Sequence, residues 1–155
     1  SLYHLNVFQI QSIYYFNYSL SDYVDSVRHI EYLSFISRIQ NTYPTNSKVQ
    51  LYFRDLNGEV IDSLFESPKI IRHGKLDNQD RGFDPSNQLF ENEFDKERIV
   101  KIYDADEIML KASIFVVSDE LETVRFYSDY MVTVKMGMRA KLNIRPDDVD
   151  YWIDR

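Results

Sequence analysis

The chain lacks cysteine, has little glycine and contains no long apolar run, and each shortage removes a class of function. Without Cys there are no disulfides, no thiol nucleophile and no thiolate metal ligand. With only 4 Gly, a glycine-rich phosphate-binding loop is not expected. The longest apolar run, from Ile114 to Val117, is far shorter than the ~20 residues of a membrane-spanning helix. The formal charge of -7 argues against nucleic acid or an anionic membrane as the main partner.

Aromatic residues, by contrast, are abundant, with 12 Tyr and 10 Phe. Aromatic and β-branched residues favour strands. A chain of 155 residues suits one domain, and a domain of this size buries roughly 70% of its unfolded surface, so it folds without covalent links. We therefore predict a single domain over residues 1–155. No sequence motif calls for a cofactor, and none is expected.

The most regular pattern lies near the C-terminus, from Val132 to Ile144. Every second residue is apolar, and the residues between are polar, basic or glycine. Because side chains alternate in this way only in an extended strand, the pattern predicts a β-strand with one buried and one solvated face. The basic residues of the solvated face are Lys135, Arg139, Lys141 and Arg145. Such a basic stripe either meets an acidic partner or a phosphorylated glycan, or forms ion pairs with acids on neighbouring strands, and we favour the ion pairs.

Other segments also have the period of a strand. Apolar residues alternate from Lys48 onward, and Asn57-Gly58 then separates two apolar runs, which predicts a β-hairpin ending near Phe65. Leu2 to Tyr18 predicts one or two strands. Leu110 to Val117 predicts a central strand, because both of its faces become apolar. Two further short strands are predicted over Lys69 to Arg72 and Arg98 to Tyr103.

Two segments are less clear. In residues 22–40, apolar residues recur every third position, as a helix permits, while Leu33, Phe35 and Ile39 fit the inner face of a strand. A strict three-residue spacing drifts around an α-helix, so we favour a strand over Ile30 to Gln40, with a helical turn before it. Residues 77–97 are polar and nearly unpatterned. They predict a long polar loop, with a short helix near Leu89 to Phe94 as an alternative.

These segments together predict an all-β fold. About eight short strands joined by turns, with little helix, are typical of an antiparallel β-sandwich or an open barrel. Tyrosines are concentrated in the N-terminal third of this fold. Tyr14, Tyr15 and Tyr18 are candidates for stacking on sugar rings or anchoring a protein interface. The alternative is that these tyrosines pack against neighbouring strands.

Acidic residues supply the remaining candidates for chemistry. Asp77, Asp80 and Asp84 form a weak calcium candidate, although the segment does not follow the EF-hand ligand pattern. Glycoside hydrolysis uses paired carboxylates, so Asp84, Asp104 and Asp106 keep a hydrolase as one alternative function. Acids that are neighbours in sequence are more commonly just solvated. Because no catalytic motif occurs, no catalytic residue is assigned, and the chain is not expected to be an enzyme.

Several turns and strands in combination resemble a known family. The segments, in chain order, are Asn41-Thr42-Tyr43-Pro44, the hairpin from Val49 to Asp62, the strand Ala112 to Val117, and Tyr130 to Ala140. They resemble secreted or outer-membrane β-sandwich lipoproteins of Bacteroides-type gut bacteria. The resemblance implies a non-catalytic domain of the cell envelope, outer-membrane-anchored, periplasmic or extracellular, that acts in binding or assembly. It implies no catalytic residues.

The partner implied by this resemblance is a protein or a glycan at the cell surface. Lipoproteins of this kind are tethered through a lipidated Cys, and because this chain has none, a lipid anchor is expected upstream of Ser1. An alternative function is that of a carbohydrate-binding module, which would use the exposed tyrosines. The second alternative is the hydrolase with paired carboxylates.

Overall fold

The computed structural model describes residues 6–76, 82–118 and 130–143, and these contain ten strands, one α-helix and one 3₁₀ turn. The elements in chain order are β1 (Asn6–Asn17), the 3₁₀ turn (Val27–His29), β2 (Ile30–Asn41), β3 (Ser47–Arg54), β4 (Val60–Ser63), β5 (Lys69–Ile71), β6 (Lys75–Leu76), β7 (Gly82–Asp84), β8 (Ser86–Phe94), α1 (Lys96–Tyr103), β9 (Glu107–Ser118) and β10 (Val132–Leu142).

The strands form two main antiparallel sheets. In the first sheet the order is β1-β9-β3-β4, and β5 also pairs with β3. The second sheet has the order β10-β2-β8. Strands β6 and β7 form a small separate ladder. The predicted all-β sandwich with little helix is confirmed, and β9 is central in its sheet, as its apolar faces indicated.

The core lies between the two main sheets. Phe53 of β3 lies 5.4 Å from Phe35 of β2 and 5.7 Å from Phe94 of β8, measured between ring centroids. Helix α1 covers this core with Ile99 and Ile102, both buried. Burying one large apolar side chain contributes roughly 1.5–3 kcal/mol, so this cluster is the main source of stability.

Two local predictions are confirmed. Residues 30–41 form a strand preceded by a single 3₁₀ turn, which Ser26 caps by accepting a hydrogen bond from the Arg28 amide. The hairpin of β3 and β4 also forms. Its turn is closed by a bond from the Gly58 amide to the Asp55 carbonyl, and Gly58 has a φ of 81°. Glycine adopts this left-handed conformation without the steric cost of a Cβ.

The predicted loop over residues 77–97 is wrong for its described part. Residues 86–94 form β8, which pairs with β2 from Leu33↔Phe94 to Asn41↔Ser86. The strand alternates between exposed and more buried residues, but several of the more buried positions are polar, such as Gln88 and Asn92. Apolar periodicity therefore could not reveal it. The alternative of a short helix near Leu89 to Phe94 is also wrong.

The predicted strand over Arg98 to Tyr103 is a helix instead. Asp95 caps it by accepting a hydrogen bond of 2.9 Å from the Arg98 amide. The buried Ile99 and Ile102 are three residues apart, so they lie on one helical face against the core. Arg98 also contacts the Asp62 carboxylate of β4 at 3.0 Å, which ties the helix to the first sheet.

Strand β10 is present as predicted, but its apolar face is only partly buried. Val132, Val134 and Met136 pack against the core. Farther along, Met138 is 42% and Leu142 37% exposed. Met138 lies opposite Phe35, a buried residue of the inner face, so it points to the same side of the sheet. The prediction of a fully buried face is therefore wrong over the second half of this strand.

Candidate binding surfaces beside strand β1

Strand β1 is an edge of the first sheet. Among the described strands only β9 pairs with it, over the whole length from Asn6↔Ser118 to Asn17↔Glu107. The other edge of β1 has no partner within residues 6–76, 82–118 and 130–143. Its sequence, NVFQIQSIYYFN, includes no charged residue and no Pro. Natural sheets commonly place charged residues or Pro on an open edge to prevent pairing with another strand.

Four consecutive apolar residues of β1 are exposed. Ile13 is 42%, Tyr14 62%, Tyr15 55% and Phe16 39% exposed. Tyr14 and Phe16 lie opposite Leu110 and Ile108, which in turn lie opposite the core residues Leu51 and Phe53. Tyr14 and Phe16 are therefore on the inner face of their sheet, yet the second sheet leaves them accessible to water.

The uncovered parts of the two sheets are on the same side of the sandwich. Phe65 follows β4, and its ring centroid lies 5.3 Å from that of Phe90 in β8. Strand β8 therefore lies on the β4 side of the sandwich. The order of the two sheets then places β10 on the side of β9 and β1. The large apolar residues exposed on the inner face at this side are Tyr14, Phe16, Met138 and Leu142. We call these four residues the open side.

The outer face of the first sheet carries a second aromatic group. Tyr15, Met109 and Tyr52 form one cross-strand row over β1, β9 and β3. The Arg54 guanidinium lies 5.0 Å from the centre of the Tyr15 ring, and the Lys111 ammonium 5.7 Å from that of Tyr52. We call Tyr15, Met109 and Tyr52 the aromatic row. Its rings and flanking cations are suited to stacking on a flat, polar ligand such as a sugar.

The three tyrosines predicted as ligand-binding residues do not form one site. Tyr14 and Tyr15 are exposed but project from opposite faces of β1. Tyr18 contacts the rings of Phe35 and Phe53, with centroids 6.4 and 5.2 Å away. Its hydroxyl is buried without a hydrogen-bond partner among the described residues, and burial raises the pKa of Tyr18 above its ordinary value. Tyr18 is thus half-buried and packs against the core, so it is not one of the exposed tyrosines of β1, and its role in binding stays a prediction.

Two of the four basic residues predicted on this strand, Arg139 and Lys141, form the ion pairs that we favoured. The Arg139 guanidinium lies 3.9 Å from the Glu91 carboxylate of β8, and the Lys141 ammonium lies 3.6 Å from that of Glu31 in β2. All four side chains are largely exposed, so each pair contributes little to stability. Lys135 differs from the other two because its cross-strand neighbour is Arg38, which has the same charge. Arg145 lies outside the described residues.

Of the acidic candidates, Asp84, Asp104 and Asp106 lie within the described residues. Asp77 and Asp80 lie outside the described residues, and Asp84 ends β7 opposite Lys75. Asp104 and Asp106 are exposed where α1 leads into β9. In the described part of the chain, no group of three or more His, Asp or Glu residues is placed to hold a metal ion. The calcium and hydrolase hypotheses stay predictions.

Sequence analysis missed the open side. It depends on which inner-face residues the opposite sheet leaves uncovered, and the alternation of a strand carries no information on this point. The absence of charge along β1 was the one available signal.

The described residues contain no helix long and apolar enough to cross a membrane.

Comparison with known proteins finds only distant similarity. No protein-family model and no curated protein sequence matches this chain. The VP2 subviral particle of infectious bursal disease virus is similar with a TM-score of 0.38 and 8% identity, over 90% of this chain and 30% of that chain. The structure of the Gx strain of that virus has a TM-score of 0.32 and 9% identity, over 97% of this chain and 45% of the other. This chain thus spans less than half of either chain, and neither likeness bears on function.

Proposed function

We propose that this chain is a non-catalytic domain that binds another protein in an assembly, using β1 and the open side. The observation that carries the proposal is the run Ile13, Tyr14, Tyr15 and Phe16, exposed on an edge strand without a charged residue. Apolar residues scattered singly over a surface are ordinary. A contiguous apolar area is typical of an interaction site, and these four residues lie together along one sheet edge, two on each face of β1.

The surface combines two sources of binding energy. The unpaired edge of β1 offers backbone amides and carbonyls to an added strand, and the neighbouring aromatic side chains offer apolar area. Tyr and Phe bring large contact areas with few rotatable bonds, so little conformational entropy is lost when they are covered. A protein partner fits both features, because it has a backbone as well as apolar side chains.

Photo-crosslinking in the native cells tests this function. A p-benzoylphenylalanine placed at Tyr14 should form adducts with a partner protein. The matched control is the same group at Leu89, which is 63% exposed compared with 62% for Tyr14 but lies on the opposite edge, in β8. The proposal requires adducts from position 14 and few from position 89. Equal adducts from both positions, or none from position 14, would contradict it.

The cell envelope is the location we propose for this assembly, on the strength of the family resemblance alone. If the full-length protein is a lipoprotein, cells fed radiolabelled palmitate should incorporate the label into it. The labelled protein should then fractionate with the envelope. Recovery of an unlabelled protein in the soluble cytoplasmic fraction would contradict this location, but it would leave the binding function of β1 unaffected.

A second function, glycan binding, is supported by the aromatic row. Tyr15 and Tyr52 flank Met109 on one face, and Lys111 supplies hydrogen-bond donors beside the rings, while Arg54 is held beside Tyr15 by the Gly58 carbonyl and Glu107. Binding on a glycan array should be lost in Tyr15→Ala and Tyr52→Ala. It should be retained in Tyr23→Ala, because Tyr23 is equally aromatic and 80% exposed but lies outside the row. Absence of binding by the unaltered protein to any glycan would exclude this function.

A further inference from the structure

The described sheet edges differ in charge. The main sheets end at β1, at β4 with β5, at β8 and at β10. The charged residues on these edge strands are Asp62 in β4, Lys69 in β5, Glu91 and Glu93 in β8, and Lys135, Arg139 and Lys141 in β10. Only β1, among these edge strands, has none. Charged residues on an edge prevent association with another strand, so β1 is the one edge left without this protection.

This neutrality identifies the kind of strand that fits. A strongly acidic or basic segment would find no opposite charge on β1. A second copy of β1 is equally neutral, although the whole chain carries a charge of -7. An antiparallel pair of identical strands has two-fold symmetry, which is the commonest arrangement in homo-oligomers. At the other edges, self-pairing of this kind brings like charges together, for example those of β10.

We propose that this protein forms a two-fold symmetric dimer in which β1 of one copy pairs antiparallel with β1 of the other. The first sheets of the two copies then become one continuous sheet. The two-fold axis lies near Ser12, so that Tyr14 and Phe16 on the inner face, and Ile13 and Tyr15 on the outer face, are flanked by side chains from the first half of β1 in the second copy. This inference rests on the proposed binding function and specifies its partner.

Introducing charged residues on β1 tests the dimer. Gln11 and Ile13 are exposed neighbours on the outer face. In sedimentation equilibrium the unaltered protein should be a dimer. Gln11→Lys with Ile13→Lys should weaken dimerisation at least tenfold, as should Gln11→Glu with Ile13→Glu, because like charges then meet across the two-fold axis. Mixing the two variants should restore a dimer. The control, Asn87→Lys with Leu89→Lys on the edge strand β8, should leave the dimer unchanged.

A cross-linking measurement covers the case in which the charged variants do not fold. Because the chain has no Cys, single changes Gln11→Cys, Ser12→Cys and Ile13→Cys place one thiol each along β1. Oxidation should give a disulfide-linked dimer for at least one of them. Ser86→Cys on β8 is the control and should give none. Cross-linking that is equal at β1 and β8 would overturn the proposal.

The outcomes separate this inference from the proposed function. A monomer at all concentrations up to millimolar overturns the dimer. If p-benzoylphenylalanine at position 14 nevertheless crosslinks to a different protein, the binding function stands. A dimer that persists in both charged β1 variants also overturns the inference, because its interface then lies elsewhere. Adducts from Tyr14 to a second copy of the same chain support both proposals.

Discussion

Phe35 and Phe53 meet across the two sheets with their ring centroids 5.4 Å apart, and each is almost fully buried. This contact joins the second strand of the chain to the third, in opposite sheets. Phe53→Ala should lower the free energy of unfolding by about 3–5 kcal/mol, because it removes apolar contacts and leaves a cavity. Urea denaturation measures this change. Leu89→Ala, at an exposed position, should change stability by no more than about 0.5 kcal/mol. Similar losses for both variants would show that these rings are not the centre of the core.

The hydroxyls of two half-buried tyrosines should differ in their contribution to stability at pH 7. The Tyr103 hydroxyl donates a 2.5 Å hydrogen bond to the Val24 carbonyl, so Tyr103→Phe should cost about 1 kcal/mol. The Tyr18 hydroxyl is buried and has no partner among the described residues, so Tyr18→Phe should leave stability unchanged or raise it slightly. The measurement is the midpoint of urea unfolding at pH 7. A larger loss for Tyr18→Phe than for Tyr103→Phe would contradict the hydrogen bonding described.

The same tyrosines predict a loss of stability in alkali. Burial raises the pKa of Tyr18 above its ordinary value of 10.0, and burial, then the charges of Asp104 and Asp25, raises that of Tyr103. The unfolded chain therefore loses these protons at a lower pH than the folded protein does. The contribution of these two phenols to the free energy of unfolding should be constant below about pH 10 and decline above it. In Tyr18→Phe the decline should be shallower, and an unchanged slope would argue against the burial of this phenol.

Two glycines should respond to alanine in opposite directions. Gly58 has a φ of 81°, and an added Cβ would lie 2.4 Å from the Arg54 guanidinium. Gly58→Ala should therefore cost about 1–2 kcal/mol. Gly137 lies in β10, and an added Cβ would meet nothing within 4 Å. Because glycine weakens a strand, Gly137→Ala should stabilise the protein by about 0.5–1 kcal/mol. Thermal unfolding of the two variants tests this contrast, which fails if both shift the midpoint in the same direction.

Reversing one charge on β10 should stabilise the second sheet. Lys135 lies opposite Arg38, and like charges at directly opposite positions are unfavourable. Lys135→Glu should raise the free energy of unfolding by about 0.2–1 kcal/mol, and added salt should remove the gain. Lys101→Glu is the control, because Lys101 already faces Glu97 at 3.9 Å on α1. That change should be destabilising, and a similar effect of both substitutions would show that only net charge matters.

Much of the fold was predictable because its signals are local. Alternation identified β3, β9 and β10, and Asn57-Gly58 identified the hairpin, since a tight turn needs a residue that tolerates a positive φ. Strand β8 was missed because Gln88 and Asn92 occupy its more buried positions, so its pairing with β2 supplies what its own pattern lacks. The helix at residues 96–103 was missed because its buried face consists of only Ile99 and Ile102.

The candidate surfaces were less predictable than the fold. The tyrosines were identified, but Tyr14 and Tyr15 separate onto two faces, and Tyr18 packs half-buried against the core. The basic residues of β10 were identified as well, together with the ion pairs favoured for them. Which acids would pair with Arg139 and Lys141 depended on Glu91 and Glu31, which lie about fifty and one hundred residues earlier in the chain.

The amino-acid sequence by itself determined the class of fold and the neutrality of β1, because strand periodicity and charge are properties of neighbouring residues in the chain. Only the tertiary structure decided which apolar residues reach water. Met138 and Leu142 continue the same alternation as Val134, yet they are exposed while Val134 packs against the core. The physical reason is that burial requires an opposing layer, and the extent of that layer is set by the pairing and packing of strands distant in sequence.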